Sequence, residues 1–264
     1  MRHFVLVVAA TFAFSCGSNS PVLPPDAGPT YCAEQSEAIA GMQKPAKIML
    51  ALDRSGSMKT LASSDTQWGC AADGSGNGYN PSGDCKWITL LDLLTRTGGF
   101  LDQTSASARH GLAIFSGPNS SDSCAAGSIE VPVPDAAGAS VQTIKSKLFS
   151  YAPSGGTPSA STLGNIAADS SFTRNEVATK SAVVLITDGN PNCNSSLSLC
   201  SACTNGGNPA QMCGDVRNCL DDVALTAAVK TLKAKTIDTF VIGFGSAFSN
   251  PDAKKALNDA AEAG

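Results

Sequence analysis

Asp53, Ser55 and Ser57 follow one another at a spacing of two in Lys47-Ile-Met-Leu-Ala-Leu-Asp53-Arg-Ser55-Gly-Ser57-Met58. One carboxylate and two hydroxyls are hard oxygen donors, suited to Mg2+, Mn2+ or Ca2+ and not to zinc or copper. Gly56 permits a tight turn that points all three side chains at one place. The apolar run Ile48 to Leu52 has the length and continuity of a strand buried in a parallel sheet. Loops at the carboxyl ends of such strands are where open α/β sheets bind ligands. Two later stretches offer further donors. Ser154-Gly-Gly-Thr157-Pro158 carries a hydroxyl on a glycine loop, and Val183-Val-Leu-Ile-Thr187-Asp188-Gly189 is a second apolar run ending in a carboxylate. Singly, each has an ordinary structural role. Asp-x-Ser-x-Ser is commonly a solvated loop, Thr157 before Pro158 has the form of a helix cap, and Asp188-Gly189 is a turn signal. Their occurrence together, each at a strand end or helix start, points to a cation.

With all five positions filled, residues 44–264 resemble the von Willebrand factor type A family. Its metal-ion-dependent adhesion site is written Asp-x-Ser-x-Ser, then Thr, then Asp, on three separate loops. The resemblance implies that Asp53, Ser55, Ser57, Thr157 and Asp188 hold Mg2+, or else Mn2+ or Ca2+. Ser55, Ser57 and Thr157 would bind directly, and one or both aspartates through water. The family leaves one coordination position open, which an Asp or Glu of a partner protein fills. The expected function is therefore metal-bridged adhesion at a cell surface, with no enzyme activity. The family also carries a further strand and helix beyond the stretch ending at Gly264, so the sequence reads as truncated there.

The elements around these residues follow from periodicity. Trp87, Leu90, Leu91, Leu94 and Leu101 predict one amphipathic helix over 87–103, with Gly98-Gly99 its weak point. Gly111 to Phe115 is a buried strand. Ile129 to Pro134 alternates but contains prolines, which places it at a sheet edge. A short helix covers 141–149, and Thr157 caps a helix carrying Leu163, Ile166 and Ala167. A strand at 182–187, a helix at 221–235 and a strand at 237–244 follow. Asn250-Pro251-Asp252 opens a last helix through Leu257. Strands alternating with helices give the doubly wound α/β class, a mostly parallel sheet covered on both faces, and the family resemblance implies the same.

The 264 residues suit one domain of about 200 residues plus extras. Ten cysteines indicate an oxidising compartment. Residues 1–15 are a short basic start and an apolar core, Phe4 to Phe14, too short to span a bilayer comfortably. Ser15-Cys16-Gly17-Ser18 follows. This resembles a bacterial lipoprotein signal, with Ala13 where leucine is usual and Cys16 as the lipidated mature N-terminus; an ordinary cleaved signal is the alternative. Ser18, where an aspartate is absent, resembles lipoproteins sent to the outer membrane. The expected location is thus the bacterial cell envelope, with membrane contact only through the lipid anchor. Residues 16–43 form the proline-rich tether and lead-in. Loss of residues 1–15 moves the formal charge from −4 to about −5. Without a Lys/Arg cluster, nucleic acid and anionic lipid are poor partners.

Two cysteine-rich insertions, 59–86 and 190–220, interrupt the domain. Cys70 and Cys85 close a short loop, and a bridge between them would contribute roughly 3 kcal/mol in the chain-entropy model. Cys124 with Cys193, Cys200, Cys203, Cys213 and Cys219 makes six cysteines, which allow 15 connectivities and leave Cys32 over. Alternatively Cys32 pairs with Cys124. Cys200-x-x-Cys203, lacking a second knuckle or a nearby histidine, is weak as a zinc or redox motif. A hydrolase reading would use the cation to activate water, but it lacks a base. His3 leaves with the signal, and His110 opens a strand at the opposite end of the sheet, so no Ser-His-Asp triad can form. Asp65, Asp73 or Asp122 would serve only if their loops folded over the site. A third reading is a scaffold whose five site residues merely stabilise loops.

Overall fold

The runs that end in Asp53 and Asp188 are neighbouring strands. The computed structural model describes residues 44–61, 64–68, 70, 85–117, 122–194, 220–245 and 251–264. In chain order the elements begin with β1 (Ala46–Asp53), a 3-10 turn (Gly56–Lys59), β2 (Thr60–Leu61) and β3 (Ser64–Trp68). Next come α1 (Lys86–Thr95), α2 (Phe100–Thr104), β4 (Ala108–Phe115), β5 (Ser128–Val131) and α3 (Val141–Leu148). Then follow α4 (Ser159–Ala168), α5 (Ser170–Thr173), β6 (Ser181–Thr187), α6 (Asp222–Ala234), β7 (Ile237–Gly243) and α7 (Pro251–Ala263). The main sheet has the order β5-β4-β1-β6-β7. It is parallel except for the antiparallel edge strand β5, which stops just before Pro132. This is the doubly wound α/β class that the alternation of elements implied.

Alternation along the central strands divides the core in two. Leu50, Leu52, Leu112, Ile114 and Ile186 face α1, α2 and α3. Met49, Ala51, Ala113, Phe115, Val183 and Leu185 face α4, α5, α6 and α7. A strand covered on both sides must be apolar on both, which is why β1, β4 and β6 contain the continuous apolar runs Ile48 to Leu52, Gly111 to Phe115 and Ala182 to Ile186.

The structure corrects several expectations. The helix expected over 87–103 is two helices. Gly98 adopts φ +71°, and at Gly99 a side chain would stand 2.9 Å from the Arg96 and Leu93 carbonyls. The chain turns there and restarts, with Leu101 still buried. The insertion at 59–86 is not wholly outside the core. β2 and β3 pair antiparallel, and the expected Cys70–Cys85 bridge is present with Cα atoms 5.2 Å apart. Both cysteines pack with Leu90 and Trp87, because a disulfide is a small apolar body that a core accepts. Lys86 belongs to α1 and is fully buried. The last helix continues past Leu257 to Ala263, burying Ala260. Residues 1–43, with Cys16 and Cys32, lie outside the described residues, as do Asp73, Cys200, Cys203, Cys213 and Cys219.

Leu163 is fully buried under the sheet and Phe240 is 58% exposed on β7. Leu163→Ala is expected to cost about 2–5 kcal/mol and Phe240→Ser no more than about 0.5 kcal/mol, measured by urea unfolding.

Candidate metal-binding site

β1 delivers Asp53 to the carboxyl edge of the sheet with no exposed surface. The chain then folds back on it, the Ser55 N–H donating to Asp53 Oδ1 at 2.7 Å. The 3-10 turn brings Ser57 beside Ser55, their hydroxyl oxygens 2.9 Å apart. Ser57 donates to Asp188 Oδ1 at 2.8 Å, across 131 residues of sequence. Its only hydroxyl proton is then engaged, so Ser55 is the donor within the serine pair. The Thr187 hydroxyl at the end of β6 donates to Asp53 Oδ2 at 2.6 Å. Asp53, Ser55, Ser57 and Asp188 thus form one connected polar cluster.

The loop that carries Thr157 is tied to the same turn. Gly56 N–H donates to the Gly155 carbonyl at 2.9 Å, and Ser154 N–H to the Arg54 carbonyl at 2.6 Å. Gly155 has φ +84°, and a side chain there would collide with Ser116 Oγ at 2.2 Å, so the close approach requires glycine. Gly156 N–H donates to the Ser123 carbonyl at 2.8 Å. Thr157 N–H donates to Asn192 Oδ1 at 2.5 Å, and Asn192 N–H returns a bond to the Thr157 carbonyl at 3.1 Å. Thr157 does not cap α4 with its side chain, contrary to expectation. Pro158 holds the cap position with no side-chain bond. Both backbone groups of Thr157 instead bond Asn192, the carbonyl also accepting the Ser159 N–H at 2.8 Å.

Two site residues were not foreseen. The Arg54 guanidinium donates to the carbonyls of Ser116, Gly117 and Ala152, tying the loops after β4 and α3 to the turn after β1. Nothing in Asp-Arg-Ser signals that role. Lys86 Nζ lies 2.9 Å from Asp188 Oδ2, and both side chains are fully buried. Its signal was available: Lys86, Leu90 and Leu94 are spaced at four on one helix stripe, a lysine on an apolar face.

The cysteine alternatives are partly resolved. Cys124 bonds Cys193 with Cα atoms 5.3 Å apart, which excludes the pairing of Cys124 with Cys32. His110 is buried in β4, with Nε2 2.8 Å from Thr104 Oγ1. It lies five residues before Phe115, roughly 17 Å at the usual strand rise, so it cannot serve the site. Asp122 Oδ1 accepts the Cys124 N–H at 2.9 Å.

Among the described residues, no three His, Cys, Asp or Glu side chains gather as a metal cluster. The donors here are two carboxylates and three hydroxyls. Their chemistry fits a hard dication, and the electrostatics favour one. Burial, and then the charge of Asp188, push the Asp53 carboxyl up to about 7, against the opposing bonds from Thr187 and Ser55. With Lys86 on Asp188, Asp53 is the carboxyl whose ionised form an added cation would favour.

No protein-family model matches the sequence, and no curated protein matches it. Solved structures do. The chain is similar to the pilus adhesin SpaC from Lactobacillus rhamnosus GG, at 18% identity and TM-score 0.50, over 83% of this chain and 29% of that one. It is similar to a point mutant of the PilB minor pilin from Streptococcus sanguinis, at 15% identity and TM-score 0.50, over 84% and 56%. It is also similar to a manganese-loaded TRAP protein from Plasmodium vivax, at 16% identity and TM-score 0.49, over 82% and 63%. The chain spans less than two thirds of each of these. The likeness is one of fold, and the fold is von Willebrand factor type A-like.

A carboxyl raised above its unfolded value binds more protons in the folded state, so stability falls as pH rises from the unfolded value, near 4, through about 7. The metal-free protein is expected to lose melting temperature across that window. Asp53→Asn should flatten the slope, and saturating Mg2+ should flatten it in the wild type. Differential scanning calorimetry at several pH values checks both.

Proposed function

We propose that this protein is a metal-dependent protein-binding module of the bacterial cell surface. The carrying observation is the bonded cluster that joins Ser55, Ser57 and Asp188, with the Thr157 loop fastened to the same turn. In this reading Ser55, Ser57 and Thr157 offer hydroxyl oxygens to Mg2+, Mn2+ or Ca2+, and Asp53 and Asp188 supply the negative charge. When bound, the cation supplies an open coordination position that an Asp or Glu of the partner protein fills. Asp53 orients the turn through the Ser55 N–H, and Asp188 orients Ser57. Burial of both carboxylates excludes water that would screen them.

The reading extends to the chain's setting. Cys16 anchors the mature chain to the outer membrane, residues 16–43 hold the domain away from it, and the cysteine-rich insertions beside the site carry partner specificity. Among the described residues no helix is long and apolar enough to cross a membrane.

Isothermal calorimetry with Mn2+ tests the site. Saturable binding is expected in the wild type, weakened about tenfold or more by Ser57→Ala and abolished by Asp188→Ala. No saturable heat in the wild type would favour a scaffold without metal. On the same reading, EDTA releases a bound partner protein while the circular dichroism of the domain persists, and hydrolytic turnover with Mg2+ does not exceed that of Asp53→Ala.

A further inference from the structure

The buried Lys86 is a fixed feature of the site. Cys85, just before it, is held by the bridge to Cys70 and by pairing with Leu61. Gly245, after β7, leaves room for its stem: a side chain there would stand 2.7 Å from Lys86 Cε and 3.2 Å from Nζ. The ammonium meets Asp188 Oδ2, while Oδ1 takes the Ser57 hydroxyl. One carboxylate is thus shared between the hydroxyl cluster and a buried ammonium. Burying an ammonium is costly. A site that only had to retain a dication would hold it more tightly without such a charge alongside.

We propose that Lys86 sets the charge of the site so that its cation-loaded form is an anion receptor, weakening cation binding and strengthening carboxylate binding. This rests on the metal-dependent reading above. In the fully ionised form that a bound dication selects, Asp53, Asp188 and Lys86 contribute a formal charge of −1. A dication brings the group to +1, and an incoming carboxylate then brings it to zero. Without the ammonium the same states carry −2, zero and −1, so the loaded site no longer attracts an anion and the last state is an excess negative charge out of water. Lys86 is a positioning and charge-setting residue here and need not touch the partner.

The test compares full-length wild type with Lys86→Met and Lys86→Gln. Glutamine keeps a donor for Asp188 without the charge. Calorimetry reads the Mn2+ affinity, and water-proton relaxation of the Mn2+-loaded protein reads the affinity for acetate. Both variants are expected to bind Mn2+ about tenfold or more tightly and acetate about tenfold or more weakly. Damage to the site would weaken both affinities together; that result, or no change in either, would overturn the proposal. If the wild type itself binds no Mn2+, the metal-dependent reading falls and this inference falls with it. A second measurement needs no variant. In lysine-15N-labelled wild type, the Lys86 Nζ resonance is expected to shift on saturation with Mg2+, and an unmoved resonance in Mg2+-saturated protein would overturn the proposal even where both variants fail to fold.

Discussion

Asp53 and Asp188 are two carboxylates withdrawn from water beside one another, and that arrangement sets the terms for everything around it. An ionised carboxylate in a dry interior is costly unless its lone pairs are met and its charge is offset. The protein meets the lone pairs with the Thr187 hydroxyl and Ser55 N–H on Asp53, and with Ser57 and Lys86 on Asp188. Among the described residues, the Lys86 ammonium offsets charge at Asp188. These buried carboxylates, with the Ser55 and Ser57 hydroxyls bonded beside them, give this edge of the sheet its chemistry.

The fold makes such a concentration of charge possible by placing strand ends together. β1 pairs in register with β4 on one side and β6 on the other, so their carboxyl ends finish level. The chain leaves β1 toward β4 and later crosses to β6 on the opposite side. Loops therefore part above β1, opening a crevice of the kind where α/β sheets take ligands. The apolar side chains on both sheet faces hold the strands rigid beneath it. Loops as polar as those after β1, α3 and β6 can carry precise geometry only on such a base.

Much of this was legible in the sequence. The unbroken apolar runs located the central strands, and the carboxylates that end them marked a candidate site, because a strand end is a place that periodicity locates well. What escaped depends on contacts distant in sequence. Arg54 acts on carbonyls of Ser116, Gly117 and Ala152, which no local pattern reveals. Lys86 sat in plain view on the stripe of Leu90 and Leu94, but its polar neighbours in the insertion masked the mismatch. Thr157 before Pro158 has the composition of a cap, yet its backbone is committed to Asn192, so tertiary bonds override the local rule. The helix break was foreshadowed by Gly98-Gly99, whereas Leu101 stayed in phase with the hydrophobic pattern and concealed the turn.

The bridge between Cys124 and Cys193 stands in a particular relation to Thr157. Ser123, just before the first cysteine, accepts the N–H of Gly156, and Asn192, just before the second, holds Thr157 by both backbone groups. The covalent bond therefore closes a short ring of which Thr157 is itself a member. Freedom of that threonine relative to Ser55 and Ser57 is curtailed before anything binds, so the ordering entropy is settled when the protein folds and oxidises. Oxidation state thereby becomes a local constraint on the Thr157 backbone, in addition to its effect on the chain as a whole.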